Sequence, residues 1–140
     1  MSQSPVLRMV DAVTVSVPDL DRGLEFYRDR LGHDLLWRND GLGQAGLRLP
    51  DSETELVLST NLQYAPNWLV TSVQDAVADI VAAGGAVLVE PREIPVGRLA
   101  VVADPFGNPL ILLDLSVGRY TTDATGRVTA VDPGSRRDRR

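Results

Sequence analysis

Between residues 10 and 17 the chain alternates Val13, Val15 and Val17 with Ala12, Thr14 and Ser16, the period of a half-buried strand. Pro18-Asp19 ends it, and Asp19 is a good helix N-cap. Leu20, Leu24, Tyr27 and Leu31 then fall on one face of an amphipathic helix that Gly32 stops. Residues 35–38, 45–49 and 54–59 read as strands, with Asn39-Asp40-Gly41 supplying a hairpin turn. After a connector at 61–66 the order repeats. A strand is predicted at 68–73 and a helix capped by Asp75, with Val77, Ile80 and Val81 on its apolar face and Gly84-Gly85 at its end. Strands follow at 87–90, 98–103 and 110–115, with a loop at 91–97. Two copies of β-α-β-β-β at matched spacing form an internal repeat, which constrains the fold more than any single motif.

Between the last two strands stands Asp104-Pro105-Phe106-Gly107-Asn108. Asp bonds backbone amides two residues on, Pro presets its φ, and Gly and Asn tolerate the left-handed φ that closes a turn. This strand-turn-strand resembles the last hairpin of the vicinal-oxygen-chelate superfamily, which holds glyoxalase I, extradiol dioxygenases and bleomycin-resistance proteins. So do Val17-Pro18-Asp19-Leu20 followed by Phe26-Tyr27 and Leu31-Gly32, and Ala83-Gly84-Gly85. The resemblance covers residue 10 to about residue 115. It implies an α+β fold: two β-α-β-β-β modules forming a cup-shaped mixed sheet with helices on the outer face. One domain is expected at 9–117, with modules at about 9–60 and 67–115, after an N-terminal extension at 1–8. A small C-terminal hairpin is expected at 118–131, packed on the body or on a partner subunit, and a disordered basic tail at 132–140.

Metal-using members hold a divalent cation in the cup with side chains from four strands. The resemblance places those positions on Ala12, on Trp68, on Ile111, and on Val57 or, with a slip of two, Glu55. Ala, Val, Trp and Ile bind no divalent cation through their side chains. No metal and no other cofactor is therefore expected, and glyoxalase or dioxygenase chemistry of the metal-dependent kind is not. By strand parity, residues in phase with these positions face the cup: Ala12, Thr14 and Ser16, then Glu55, Val57 and Ser59, then Trp68, Val70 and Ser72, then Ile111 and Leu113. Val13, Val15, Val17, Leu56, Leu58, Leu110 and Leu112 then lie under the helices. Such a cup is mostly apolar and suits a hydrophobic or aromatic ligand held by shape.

Each candidate carries two readings. Trp68 is a stacking platform or a filler of the emptied metal position, and Trp37 a ligand contact or a core or interface filler. Arg48 and Arg98 either pair with an anionic ligand group or form exposed salt bridges. Glu55 is a general base with its pKa raised by burial or the partner of one of those arginines. His33, the chain's single histidine, is a lone general base or a partly exposed strand-start residue. Ser59, Ser72 and Ile111 complete the expected ligand-binding set. Tyr64, Arg92 and Glu93 lie in connectors that would rim the mouth.

Composition narrows the classes further. The chain has 140 residues, suited to one domain, and no cysteine, which excludes disulfides and thiolate chemistry. It has no lysine, which excludes a Schiff-base lysine. Its net charge is −5 although residues 136–140 hold four arginines, so the body is acidic and no nucleic-acid partner is expected. No signal peptide or membrane span is read, and a cytoplasmic homodimer binding a small molecule is the expectation. Two functions follow: a metal-free small-molecule binding protein like the bleomycin-resistance branch, or a metal-independent isomerase, epimerase or lyase using Glu55 or His33 as base.

Overall fold

The computed structural model describes residues 4–133. The N-terminal Met1, Ser2 and Gln3 and most of the basic tail, residues 134–140, lie outside the described residues. The first module runs β1 (Met9–Ser16), helix α1 (Leu20–Leu24), β2 (Leu35–Asn39), β3 (Gln44–Leu49) and β4 (Ser52–Ser59). The second runs β5 (Ala65–Leu69), α2 (Val73–Ala82), β6 (Ala86–Ile94), β7 (Gly97–Ala103) and β8 (Pro109–Asp114). Within each module the first strand pairs in parallel with the fourth, β1 with β4 and β5 with β8, and the helix supplies the crossover that a parallel pair needs. The modules join through antiparallel β1 and β5, giving one curled eight-stranded sheet in the order β2-β3-β4-β1-β5-β8-β7-β6. The repeat read from the sequence is thus a fold of two equivalent halves.

The helices cover the convex face. Val17, Leu20, Leu24, Ala45, Leu47 and Leu58 close around α1. Val70, Val73, Ala76, Ala100, Val102 and Leu112 close around α2. The Asp19 carboxylate accepts the Arg22 amide at 2.7 Å and caps α1. After one turn the helix widens into a π-helical segment, Glu25–Arg30, in which the Leu31 amide reaches back to the Phe26 carbonyl. The wider turn breaks the 3.6-residue phase, so Leu31 ends 53 % exposed rather than on the buried face.

Three predicted boundaries move. β5 begins at Ala65, three residues before the strand predicted at 68–73, because Val73 opens α2 and Ser72 is its N-cap, accepting the Asp75 amide at 3.2 Å. Asp75 is therefore in the first turn and is not the cap. β6 runs through Pro91 to Ile94, where a loop was predicted at 91–97. Pro is admitted because β6 is an edge strand, with pairing shifts between Val87 and Val89 and between Val89 and Arg92.

The Asp104 turn forms as read. Asp104 Oδ1 accepts the amides of Phe106 and Asn108, Oδ2 accepts the Asn108 side chain, and Gly107 takes φ +92°. The Asn108 side-chain bond, with the backbone amides, holds the Asp104 carboxyl below the usual carboxylate range. β9 (Arg119–Thr122) and β10 (Val128–Asp132) form the C-terminal hairpin as a separate two-stranded sheet. It lies on the concave face of the main sheet, with Tyr120 and Val128 packed against Ala12, Trp37 and Val57. Among the described residues, no helix is long and apolar enough to cross a membrane.

Candidate functional site

The concave face is built from registered rows of side chains. One row crosses the four central strands: Glu55 opposite Ala12, Ala12 opposite Asn67, and Asn67 opposite Ile111. The β1–β5 pairing slips between Val10 and Ala12, so Asp11 is an extra residue in the ladder. Asp11, Glu55 and Asn67 are all buried. The Trp37 indole N–H donates to Glu55 Oε1 at 2.8 Å, and the Thr14 hydroxyl donates to Asn67 Oδ1 at 2.7 Å. Tyr120 from the hairpin lies against Trp37 with ring centroids 5.0 Å apart, and it also packs against the cluster of Val96, Leu113 and Leu115.

Two hollows result. Under the hairpin, a cleft lined by Asp11, Trp37, Glu55, Asn67, Leu113 and Tyr120 retains about 30 Å³. That is room for about one water and no organic ligand. Beyond the hairpin, over the second module, the concave face is open. A hollow of about 340 Å³ is lined there by Asn61, Leu62, Gln63, Leu88, Val89, Val101 and Ile111.

The model of the Glyoxalase/Bleomycin resistance protein/Dioxygenase superfamily matches residues 9–112. The chain belongs to that superfamily. Among solved structures, the methylmalonyl-CoA epimerase of Mycobacterium tuberculosis is similar, with 22 % identity, a TM-score of 0.61, and 81 % of this chain and 92 % of that one covered. A methylmalonyl-CoA epimerase variant of Streptomyces coelicolor, in complex with 2-nitronate-propionyl-CoA, shares 26 % identity at a TM-score of 0.60, with 77 % and 97 % covered. A hypothetical protein of Bacillus halodurans has the same TM-score, 0.60, at 15 % identity, with 82 % and 97 % covered. No functionally curated protein sequence matches significantly.

The superfamily's metal positions can now be tested against the register. The row through Ala12 reads Glu55, Ala12, Asn67 and Ile111, with Asn67 rather than Trp68 on β5. One carboxylate, one amide, a methyl and a branched alkyl do not make a divalent-cation site. Glu55 Oε1 and Asn67 Oδ1 moreover already accept bonds from Trp37 and Thr14. Among the described residues, no three His, Cys, Asp or Glu side chains converge on a possible metal position. The residues do not fit the group.

The predicted site residues separate. Trp37, Glu55 and Ile111 come together on the concave face. Trp68 does not: it packs with Val70, Val73 and Ala76 on the convex side, and its indole N–H finds no hydrogen-bond partner among the described residues. Beginning β5 early puts Asn67 in phase with the cup and Trp68 and Val70 out of it, and a one-residue shift flips every side chain. Ser72 leaves the sheet altogether as the α2 cap. Ser59 faces inward but is spent on the turn after β4, accepting the Leu62 amide at 3.0 Å and the Asn61 amide at 3.2 Å.

The arginines and the histidine lie elsewhere. Arg98 is in phase with Ala100 and Val102, which pack under α2, and its amide donates to Asp114 Oδ1. Arg48 is exposed and lines, with Leu36, Thr54 and Glu55, a separate hollow of about 70 Å³, and its carbonyl lies 3.0 Å from His33 Nδ1. His33 therefore faces backbone, away from the cleft. The alternation missed Asp11, Asn67 and Tyr120. An aspartate inside a β-branched run was a signal for the first, whereas nothing local signals the long-range docking of the third.

Proposed function

We propose that the protein is a small-molecule binding protein of this superfamily that takes an uncharged, largely apolar ligand on the open half of the cup. The carrying observation is the 340 Å³ hollow whose lining, from Leu62 to Ile111, includes no charged side chain. Its volume falls at the low end of ligand sites, and the Gln63 amide in its lining suits orientation rather than charge pairing. The ligand is held by shape without being changed, since Glu55, the carboxylate on the superfamily's metal row, lies 3 % exposed beneath the hairpin. The reading includes the homodimer and the cytoplasmic location expected from the sequence.

Val89, exposed on edge strand β6, permits a test that leaves the core alone. The neutral fluorophore N-phenyl-1-naphthylamine should bind the wild-type chain saturably and raise its melting temperature by mass action. Val89→Asp should weaken that binding at least about tenfold, because a carboxylate must be desolvated in the occupied hollow. Absence of saturable binding, or equal binding by the variant, rejects the reading.

A second reading, a metal-independent epimerase, is favoured by two carboxylates, Asp11 and Glu55, on one cleft. It is favoured also by the likeness to the two epimerases. Proton removal and return on opposite faces of a carbon needs two acid–base groups. Deuterium incorporation from heavy water into methylmalonyl-CoA, carried out by wild type and lost in Glu55→Gln, would select this reading over the first.

A further inference from the structure

The hairpin of β9 and β10 is held differently from every other strand. It continues neither edge of the main sheet. Its backbone meets β2 where the Arg38 amide donates to the Gly126 carbonyl at 2.8 Å and where Arg38 and Arg127 form an isolated bridge. Otherwise side chains attach it. Tyr120, Val128 and Val131 rest on concave clusters, each only partly buried, and Arg127, itself exposed, pairs with Asp40. It enters through a narrow joint at Val117-Gly118, whose two amides share the Val96 carbonyl. Arg119 at the start of β9 is buried, at 7 % exposure, while the other attachments are partly or fully exposed. A unit outside the main sheet held largely by such attachments opens at a lower free energy than the sheet beneath it.

What it covers is also unlike a core. Asp11, Gln44, Glu55 and Asn67 line the cleft with polar groups, Glu55 and Asn67 each already accepting a bond, and the Trp37 ring lies 5.0 Å from that of Tyr120, tilted by 44°. A cover whose work was stability alone would sit better on apolar groups, because buried polar groups carry a desolvation cost. We propose that the hairpin is a displaceable cover, and that Tyr120 stands where a flat aromatic ligand bearing hydrogen-bond donors lies against Trp37 once the hairpin lifts. The chain then competes with that ligand for its own cleft. Weakening the hairpin raises the ligand's apparent affinity by the fraction of open molecules gained. This device concerns the covered half of the cup and stands or falls independently of the open hollow.

Hydrogen–deuterium exchange on the full chain, with and without 4-aminobenzamidine, tests it. That probe is a flat aromatic ring with amine and amidine donors. Without it, amides of residues 119–132 should exchange at least about 100-fold faster than those of β4 and β8. With it at millimolar concentration, hairpin exchange should rise further while the amides of β1 and β4 slow. Tyr120→Ala should bind the probe about tenfold more tightly than wild type, with its hairpin still unprotected in the complex. Hairpin exchange as slow as that of β8, or a probe that leaves wild-type hairpin exchange unchanged, overturns the proposal. A probe that protects the hairpin in Tyr120→Ala does so too, since it would merely be filling the space left by the ring.

Discussion

The two halves of the concave face start from equivalent modules and end in opposite conditions. Over the first module, edge strand β2 carries Trp37, the hairpin settles on it, and about 30 Å³ of space is left. Over the second, edge strand β6 is twice bulged and leaves Leu88 54 % and Val89 36 % exposed beside a hollow of about 340 Å³. The difference in space comes both from the hairpin, which lies outside the repeat, and from the unlike edge strands of the two modules. A duplicated scaffold can thus keep one half as a filled, polar cleft and the other as an apolar hollow. Fold alone does not say which half does the chemistry.

Trp37→Ala should show the difference most strongly. It removes a buried indole and its packing on Tyr120, and leaves Glu55 Oε1 without the donor at 2.8 Å. Ring truncation of this kind costs about 3–5 kcal/mol. Val89→Ala, in the open half, should stay within about 0.5 kcal/mol. Urea unfolding of both variants makes the measurement. Comparable losses would mean that the open half is as tightly built as the covered one, and the comparison fails.

Gly46→Ala sharpens the same contrast from the neighbouring strand. Gly46 pairs with Trp37 across β2 and β3, and a Cβ there would collide with the Trp37 indole nitrogen and the adjoining ring carbons. The indole must tilt away from Glu55 to make room, at a cost of about 1–3 kcal/mol. Chemical denaturation reads the loss, and the tilt should change the Trp37 fluorescence as well. An unaltered stability would show that the covered half has slack that the packing does not suggest.

How far these halves were readable in advance follows from what each depends on. The convex face was legible, because Val15, Val17, Leu56, Leu58, Leu110 and Leu112 keep an unbroken alternation and pack around the helices as read. The Asp104 turn was legible because Asp, Pro, Gly and Asn each act on the local backbone. The concave face was legible only where alternation survives. Parity put Glu55 and Ile111 inside correctly, yet it carried Trp68 and Val70 to the wrong side because the start of β5 was misplaced. Pro66 concealed that start: it lies in the stretch of β5 beside β1 alone, before pairing with β8 begins at Asn67, and it reads as a connector. Asp11 was hidden by a bulge, which no periodicity records. The meeting of Trp37 with Tyr120 joins residues far apart in the chain, and neither segment carries a local mark of it.

The clasp between hairpin and body should give the smallest effect and the one most dependent on pH. Arg38 reaches Asp21 at 3.0 Å and Asp40 at 2.9 Å, and Arg127 from the hairpin pairs with Asp40 on its other oxygen. The Arg38 bond first, and the Arg127 bond after it, hold the Asp40 carboxyl below the usual range, against a partial opposing effect of burial. A depressed carboxyl stabilises the folded clasp above its unfolded pKa of about 3.9, and that contribution fades as pH falls through the folded value. Asp40 is 46 % exposed, so solvent screening keeps the pair near the 0.2–1 kcal/mol typical of surface ion pairs. Hairpin amides should therefore exchange a few-fold faster in Asp40→Asn than in wild type at pH 6. The two proteins should converge only as pH falls through the depressed folded value, where the wild-type carboxyl is neutralised as well. Equal hairpin exchange in the two proteins at pH 6 would place the restraint in Tyr120 and the valines alone. The covered half would then be shut by packing rather than by charge.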